Sequence, residues 1–326
     1  MLITRTPLRI SIGGGGTDLP SYYRAHGGFL ISAAINQYIY IAVSRAFQKK
    51  YGLRYSALES VEDISEIQHP IFRAALEGLN VLPAIDIASF ADIPKETGLG
   101  SSGSFTVGLL HALHVYHGRP VTPHALAEEA CHLEIEVLKR PVGKQDQYIA
   151  AFGGLTAFEF NRDDTVRAEP LRIPPHALKE LEDRLLMFFT GTYREAPSIL
   201  GDQVKRSVSG DTQMLENLHA IKALGRKIKS ALERGDARAF GEIMGEHWAV
   251  KQRRSPEISN SRINALYGIG IRNGAVGGKL IGAGGGGFLL FYAEDPEKLR
   301  SAMATERLEE VPFRFDHQGS VVMAQD

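Results

Sequence analysis

The stretch Pro94-Lys-Glu-Thr-Gly-Leu-Gly-Ser-Ser-Gly-Ser104 follows an apolar run, Ile85 to Ile93, and leads directly into a helical pattern. A glycine-rich loop that opens a helix lets the backbone approach a ligand and presents unpaired N–H groups with a partial positive charge. Its serine hydroxyls can donate to phosphate oxygens or bind Mg²⁺. The stretch therefore predicts a polyphosphate site, with a capped turn as the simpler alternative.

Two further glycine clusters favour a ligand site over a simple turn. They are Gly13-Gly-Gly-Gly-Thr-Asp18 and Gly277-Gly-Lys-Leu-Ile-Gly-Ala-Gly-Gly-Gly-Gly287. A run of four glycines costs much backbone entropy on folding, so it needs a specific reason. We expect the backbone to approach a ligand closely at more than one point.

Composition and charge narrow the class of protein. The chain has 326 residues and a net charge of −1, so no overall field points to nucleic acid or a membrane. Its single cysteine, Cys131, cannot form an internal disulfide, which favours a reducing environment. The N-terminal segment lacks the apolar core of a signal peptide, and no apolar run reaches the roughly 18 residues of a membrane span. We expect a cytoplasmic protein that binds neither nucleic acid nor membranes, and homo-oligomerisation is left open.

Apolar periodicity and turn signals divide the chain into strands and helices that do not alternate regularly. Single strands are expected at residues 2–12, 85–91, 153–160, 171–173, 185–189, 313–323 and within 280–291, and more than one strand is expected within 29–46. Helices are expected at residues 70–79, 102–117, 123–139, 212–234, 237–250, 258–273 and 296–307. This order predicts an α+β fold rather than a doubly wound parallel sheet, and Pro174-Pro175 suggests domains of residues 1–174 and 175–326.

Two carboxylates downstream of the serine-rich loop are candidates for phosphate chemistry. Glu134 stands near the end of a predicted helix, and Asp146 follows in a turn that begins with a glycine. One could hold Mg²⁺ while the other accepts the proton of a substrate hydroxyl. Spacing alone also allows Glu134 to be a solvated charge on the helix surface. His26, His247 and Trp248 are interpreted as structural or surface residues, and the histidines show no zinc-ligand spacing.

Three motifs in order along the chain resemble those of the GHMP kinase superfamily, which includes galactokinase, homoserine kinase and mevalonate kinase. Pro7-Leu-Arg-Ile-Ser-Ile-Gly-Gly-Gly-Gly-Thr-Asp18 resembles the first motif, the loop at Pro94–Ser104 the second, and Lys279-Leu-Ile-Gly-Ala-Gly-Gly-Gly-Gly-Phe288 the third. The resemblance implies a phosphotransferase that uses ATP and Mg²⁺. It also implies an N-terminal half like ribosomal protein S5 domain 2 and a ferredoxin-like C-terminal half.

The resemblance also assigns roles to residues. Asp146 falls on the catalytic aspartate of galactokinase-type enzymes and Arg9 on the arginine that assists it, while Ser102 and Glu134 fall on the Mg²⁺ positions. The implied ATP phosphate cradle comprises Gly98, Leu99, Gly100, Ser101, Ser102, Gly103 and Ser104. The expected substrate contacts are Gly15, Gly16, Thr17, Asp18, Lys144, Arg194, Gly284 and Gly285.

The first motif departs from galactokinases, which have Glu-His where this chain has Gly15 and Gly16. Together with the segment from Arg140 to Gly154, it looks most like kinases of D-glycero-D-manno-heptose 7-phosphate, which phosphorylate the anomeric hydroxyl on the way to GDP-heptose. The implied partner is a sugar phosphate. The alternatives are a fucokinase-like or galactokinase-like enzyme that acts on an unphosphorylated sugar, a catalytically silent sensor, and mevalonate or homoserine phosphorylation.

A substrate that already carries a phosphate needs cationic side chains away from the ATP site. The candidates in the sequence are Lys144, Arg194, Lys251, Arg253 and Arg254, each with a solvated surface charge as its alternative.

Overall fold

Two β-sheets organise the computed structural model, which describes residues 1–193 and 197–325. The strands in chain order are β1 Leu2–Gly13, β2 Gly28–Arg45, β3 Tyr51–Arg54, β4 Leu58–Val61, β5 Ile85–Ala91, β6 Leu155–Phe160, β7 Val166–Pro170, β8 Leu185–Phe189, β9 Ala275–Leu280, β10 Phe288–Ala293, β11 Glu309–Glu310 and β12 Val321–Gln325. The helices are α1 Pro20–His26, α2 Pro70–Gly78, α3 Ser101–Tyr116, α4 Pro123–Cys131, α5 Gln145–Phe152, α6 Pro175–Arg184, α7 Pro197–Val208, α8 Thr212–Glu233, α9 Ala237–Gln252, α10 Ser261–Arg272 and α11 Pro296–Thr305. Shorter 3₁₀ turns cover Ile64–Glu66 and Pro256–Ile258, and a π-helix covers His132–Val137. The α+β prediction is confirmed.

The first sheet is built around β2, which is one continuous strand where the sequence indicated several. Its neighbours follow the order β12-β1-β2-β5-β3-β4, and β6 pairs with both β2 and β7. The first half of β2 pairs with β6, from Gly28 opposite Phe160, and its second half pairs with β5, from Ile39 opposite Ala91. Eight buried residues in succession at the start of β2 explain why it spans the sheet, since both of its faces are covered there.

The second sheet has the order β11-β8-β10-β9, with antiparallel pairing throughout. This is the strand order 4-1-3-2 of a ferredoxin-like arrangement. Helices α9 and α10 pack against β9, and every residue of β10 is buried. Pro174 and Pro175 lie where the chain leaves β7 and enters α6, and the division into two domains there stays a prediction.

Two expected strands were wrong in position. The strand expected at residues 171–173 is instead β7, because Pro174 and Pro175 have no N–H to donate to a ladder directly after it. The closing strand begins at Val321 rather than at residue 313. Before it, the carboxylate of Asp316 accepts from the N–H groups of Gln318 and Gly319 at 2.9 and 3.0 Å, which fixes a turn in competition with a strand.

The last strand, β12, returns to the first sheet and pairs with β1, from Leu2 opposite Gln325. In the described ranges, none of the helices is both long and apolar enough to cross a membrane. The two sheets and their helices leave a cleft between them, into which the ends of β1, α3, α5, α9 and β9 open.

Candidate active site

One cleft of about 890 Å³ collects parts of all three glycine-rich segments. Part of its wall is apolar and comprises Ile39, Tyr55, Ile71, Phe90, Ile93 and Phe105. Another part carries charge and comprises Arg9, Asp18, Glu134, Arg140, Asp146, Lys251, Arg254 and Lys279. A cleft of this size with apolar and charged walls can hold a nucleotide beside a second polar ligand.

The serine-rich loop opens α3 with its backbone toward the cleft. Gly100 is the N-cap of α3 and adopts φ +78°, a left-handed conformation that favours glycine. The Ser101 hydroxyl is buried and has no hydrogen-bond partner among the described residues, so it is available to a ligand. Five of the seven expected cradle residues line the cleft: Gly98, Gly100, Ser101, Ser102 and Gly103.

The other two cradle residues face the interior of the protein. Leu99 is fully buried in the core, and the Ser104 hydroxyl donates to the carbonyl of Pro7 at 2.7 Å. These contacts fix the loop against β1. We infer that Leu99 and the Ser104 side chain position the cradle, and that the backbone and the other two serines face the ligand.

Glu134 lies inside the π-helix that follows α4, and its side chain is fully buried. The alternative of a solvated surface carboxylate is therefore wrong. The Ser102 hydroxyl donates to Glu134 Oε2, Arg140 Nη1 lies 2.6 Å from the same oxygen, and Gln147 Nε2 donates to Oε1 at 2.8 Å. Burial raises the pKa of Glu134, and the charge of Arg140 opposes that rise.

The pair of Ser102 and Glu134 fits Mg²⁺ by the chemistry of its donors. Mg²⁺ prefers hard oxygen ligands and usually takes one or two from protein, with phosphate oxygens and water completing its shell. A guanidinium nitrogen, Arg140 Nη1, already lies within 2.7 Å of the Ser102 hydroxyl and 2.6 Å of Glu134, so the position attracts positive charge. Among the described residues, no group of three or more His, Cys, Asp or Glu side chains is placed to hold a metal ion.

Asp146 is in the first turn of α5 and is held by Arg9 from β1. Both Arg9 Nε and Nη2 approach the same oxygen, Asp146 Oδ1, at 2.7 and 2.6 Å. None of the described residues donates to Oδ2, and the side chain is 29% exposed. A Cβ on Gly103 would lie 2.5 Å from the Asp146 Cβ, so this glycine allows α5 to approach the cradle. Asp146 therefore presents one oriented carboxylate oxygen beside the phosphate loop.

The first glycine cluster is held by Asp18. Its Oδ1 accepts from the N–H of Gly16 and its Oδ2 from the N–H of Gln145, both at 3.1 Å. Burial raises the pKa of Asp18, these backbone N–H groups oppose the rise, and the nearby charge of Asp146 adds to it. Gly15, Gly16 and Asp18 line the cleft. Thr17 is fully buried, and its hydroxyl bonds to backbone carbonyls, so it shapes the turn.

The glycines of the third cluster were expected to bring backbone close to a ligand, but two of them serve to pack chain segments together. A Cβ on Gly282 would lie 2.6 Å from the Gly98 Cα, and one on Gly287 would collide with the Thr97 carbonyl. At these positions, glycine is needed where two chain segments pack backbone to backbone, rather than for a ligand. Gly284 lines the cleft, whereas the Gly285 N–H donates to the carbonyl of Ile258 at 2.9 Å.

Several cleft residues were not found from the sequence. Lys279 is 2% exposed on β9 and lines the charged wall, and a lysine inside an apolar strand was the available signal. His247 also lines the cleft, and its Nε2 accepts from the N–H of Gly14 at 3.2 Å. Burial and the adjacent lysines hold the pKa of His247 well below its usual value, so it is a neutral acceptor. Arg140, Gln147 and Gln203 also line the cleft, and the sequence had assigned them no role there.

The five expected cations differ in where they lie. Lys251 and Arg254 are buried and line the cleft, whereas Arg253 is exposed. Lys144 is not in the cleft wall, because its Nζ lies 3.1 Å from Glu128 Oε1 and donates to the carbonyl of Asp164 at 2.9 Å. Arg194 lies outside the described residues.

Comparison with known proteins gives concordant results. Residues 40–154 match the GHMP kinases N terminal domain, and residues 228–310 match the GHMP kinases C terminal domain. The chain is 33% identical to the D-glycero-alpha-D-manno-heptose 7-phosphate kinase of Campylobacter jejuni, with 97% of each chain covered.

Two solved structures show the same architecture. One is a D-glycero-D-manno-heptose 1-phosphate kinase from Bacteroides thetaiotaomicron, with a TM-score of 0.83, 25% identity and 100% coverage of both chains. The other is Lactococcus lactis galactokinase complexed with galactose, with a TM-score of 0.79, 15% identity, and 98% and 94% coverage. At that identity the galactokinase establishes the fold alone.

Proposed function

This chain belongs to the GHMP kinase family, and from that premise we propose that it transfers the γ-phosphate of ATP to the anomeric hydroxyl of D-glycero-D-manno-heptose 7-phosphate. The product is the 1,7-bisphosphate, a precursor of GDP-heptose. The observation that carries the proposal is the position of Asp146, which lies between the phosphate loop and the Asp18 loop with one carboxylate oxygen free for a substrate hydroxyl.

The two walls of the cleft suggest how ATP lies. Tyr55, Phe90 and Ile93 offer an apolar surface for the adenine ring. The first turn of α3 offers backbone N–H groups and the unpartnered Ser101 hydroxyl to the phosphates. In this orientation the γ-phosphate is directed toward Asp146.

The chain's own groups then position and deprotonate the acceptor. Arg9 directs two N–H groups at Asp146 Oδ1 and thereby turns Oδ2 toward the cleft, where it orients the sugar hydroxyl and accepts its proton. Because phosphoryl transfer proceeds through a loose transition state, placement of the hydroxyl contributes more than base strength. Ser102 and Glu134 would hold Mg²⁺, which neutralises phosphate charge when bound.

Sugar recognition is assigned to the first glycine cluster. Each carboxylate oxygen of Asp18 accepts one backbone N–H, from Gly16 or Gln145, and retains lone pairs for sugar hydroxyls. An active kinase is favoured over a silent sensor because the residues expected to carry catalysis all line one cleft: Arg9, Asp18, Ser102, Glu134 and Asp146.

An ATP-consumption screen tests the proposal. It would compare D-glycero-D-manno-heptose 7-phosphate with the same heptose lacking the phosphate, L-fucose, D-galactose and mevalonate, and ³¹P NMR would locate the new phosphate. We expect the highest kcat/KM with the heptose 7-phosphate and a phosphate on its anomeric carbon. Turnover of unphosphorylated sugars only would refute the assigned substrate and leave the family membership intact.

A further inference from the structure

Three buried cations in the cleft wall have no role in the mechanism above. Lys251 is near the end of α9, Arg254 follows two residues after α9, and Lys279 is on β9; their exposures are 6%, 7% and 2%. All three line the cleft. None forms an ion pair with a carboxylate of the described residues. Burying uncompensated charge is costly, so such a cluster indicates an anion that binds there.

The protein contacts of the cluster leave donors available. Lys251 Nζ donates to the carbonyls of Leu280 and Gly282 at 3.0 and 2.6 Å, which leaves one of its three N–H groups. Lys279 Nζ has no hydrogen bond to a described residue, although it is among the largest fully buried side chains. Lys279 is therefore the cation with the most unused donors.

Arg254 is fixed in place by neutral partners. Its Nε donates to Asn217 Oδ1 at 3.1 Å, its Nη1 to Gln203 Oε1 at 3.0 Å and its Nη2 to the carbonyl of Gly15 at 3.3 Å. A guanidinium has five N–H groups, so two remain after these three bonds. All three hydrogen-bond partners are neutral, so the charge of Arg254 is opposed only by the nearby carboxylate of Asp18 among the charged groups that act on it.

The first glycine cluster is shaped to admit Arg254. Gly16 adopts φ +91°, and a Cβ there would lie 2.5 Å from Arg254 Nη1 and 3.1 Å from Gln203 Oε1. The guanidinium therefore occupies space that a side chain at position 16 would need. This places Arg254 at the first glycine cluster, near Asp18. Lys251 binds the carbonyl of Gly282, which packs against Gly98 at the start of the phosphate loop.

We propose that Lys279 and Arg254, with Lys251 as the third cation of the cluster, bind the phosphate monoester that the sugar substrate already carries. This inference rests on the proposed function and specifies the substrate class of the same cleft. A phosphate monoester carries about 1.5 to 2 negative charges at neutral pH and three acceptor oxygens, which match the unused donors of a lysine and an arginine. The glycines that replace larger side chains at positions 15 and 16 are then part of phosphate recognition.

The test measures steady-state kinetics of two variants, Lys279→Met and Arg254→Gln, with heptose 7-phosphate and with the unphosphorylated heptose. Arg253→Gln is the matched control, because Arg253 is exposed on the same segment as Arg254. Losing a hydrogen bond to a charged group lowers kcat/KM for the phosphorylated sugar by roughly 10- to 100-fold. The KM for ATP and the kcat/KM for the unphosphorylated heptose should change by less than about threefold, and the control should match the wild type on all substrates.

Four other outcomes of this experiment would contradict either this inference or the proposed substrate. A parallel rise in the KM for ATP, or an equal loss with both sugars, would show that these cations act on ATP or on catalysis and would overturn the inference. Unchanged kinetics with the phosphorylated sugar would overturn it as well. A wild type that turns over only unphosphorylated sugars would instead reject the proposed substrate. Thermal unfolding checks each variant, and Lys279→Met removes no hydrogen bond to a described residue, so it keeps the test valid if Arg254→Gln fails to fold.

Discussion

Replacing Asp146 with asparagine tests the assignment of the base, because the change keeps the shape of the side chain. Two N–H groups of Arg9 converge on Asp146 Oδ1 at 2.7 and 2.6 Å. The asparagine will place its carbonyl oxygen there, since an NH₂ group facing Arg9 would oppose donors to donors. The amide NH₂ must then occupy the position of Oδ2. The substrate hydroxyl would meet a donor where it needs an acceptor.

The expected loss follows from that inversion. A positioned general base contributes about 10²- to 10⁴-fold to the rate, which corresponds to roughly 3 to 5 kcal/mol of transition-state stabilisation. We therefore expect kcat to fall by about two to four orders of magnitude. The affinity for ATP should be nearly unchanged, because the phosphate loop and the apolar wall are untouched.

The assay combines steady-state kinetics with calorimetric titration of a non-hydrolysable ATP analogue. Asp163→Asn is the matched control, because Asp163 is an exposed aspartate whose side chain bonds only within its own turn. A kcat for Asp146→Asn within about threefold of the wild type would refute the role given to Asp146. A large loss of nucleotide affinity would instead assign Asp146 to ATP binding.

Further predictions concern the glycines, the buried lysine and the metal site. Gly287→Ala should lower the free energy of unfolding by at least about 2 kcal/mol, because φ is +96° and the new Cβ would meet the Thr97 carbonyl. Gly201→Ala should raise the free energy of unfolding by about 0.5 to 1 kcal/mol, because a Cβ at this position in α7 meets open space. Urea unfolding measures both changes. Burial lowers the pKa of Lys279 from 10.5 to about 7, so the contribution of Lys279 to stability should rise with pH between those values and be least favourable below pH 7. In chemical unfolding of Lys279→Met, the change in unfolding free energy across this pH range should be smaller than in the wild type by several kcal/mol. Each pKa unit corresponds to about 1.4 kcal/mol. Glu134→Gln should raise the Mg²⁺ concentration for half-maximal activity by about tenfold or more in a metal titration.

Contrary results would be informative for each case. Equal stability of Gly287→Ala and the wild type would mean that the third cluster is not a packing seam. A stability profile of Lys279→Met parallel to that of the wild type would mean that burial does not lower the pKa of Lys279. An unchanged Mg²⁺ requirement in Glu134→Gln would remove that carboxylate from the metal site.

Local sequence was sufficient where a pattern has one structural solution. The loop from Gly98 to Ser104 opens a helix as expected, because glycine and serine are favoured at the residue that caps a helix N-terminus. The helix over α8 and the strands β5 and β8 also follow their periodicity. Local pattern failed at residues 171–173 and at the start of β12, where prolines and the Asp316 turn compete with pairing.

The sequence predicted the chemistry of the site and several of its residues, but not the contacts of their side chains. Resemblance of motifs indicated Arg9, Glu134 and Asp146, and the cleft collects all three. It could not indicate that Ser104 and Leu99 face the core or that Lys144 pairs with Glu128, because side-chain direction depends on distant packing. Lys279 was missed because a single lysine in an apolar strand has no partner in the local sequence.

The sequence by itself determined the family, the order of the three glycine-rich motifs and the chemistry of a phosphate site, because these depend on residue types at short spacing. Only the tertiary structure decided why the glycines at positions 16, 282 and 287 are needed, since each makes room for a group that is distant along the chain. It also brought Lys251, Arg254 and Lys279 together. Burial and mutual distance set the energy of a charge, and neither can be read from the order of residues along the chain.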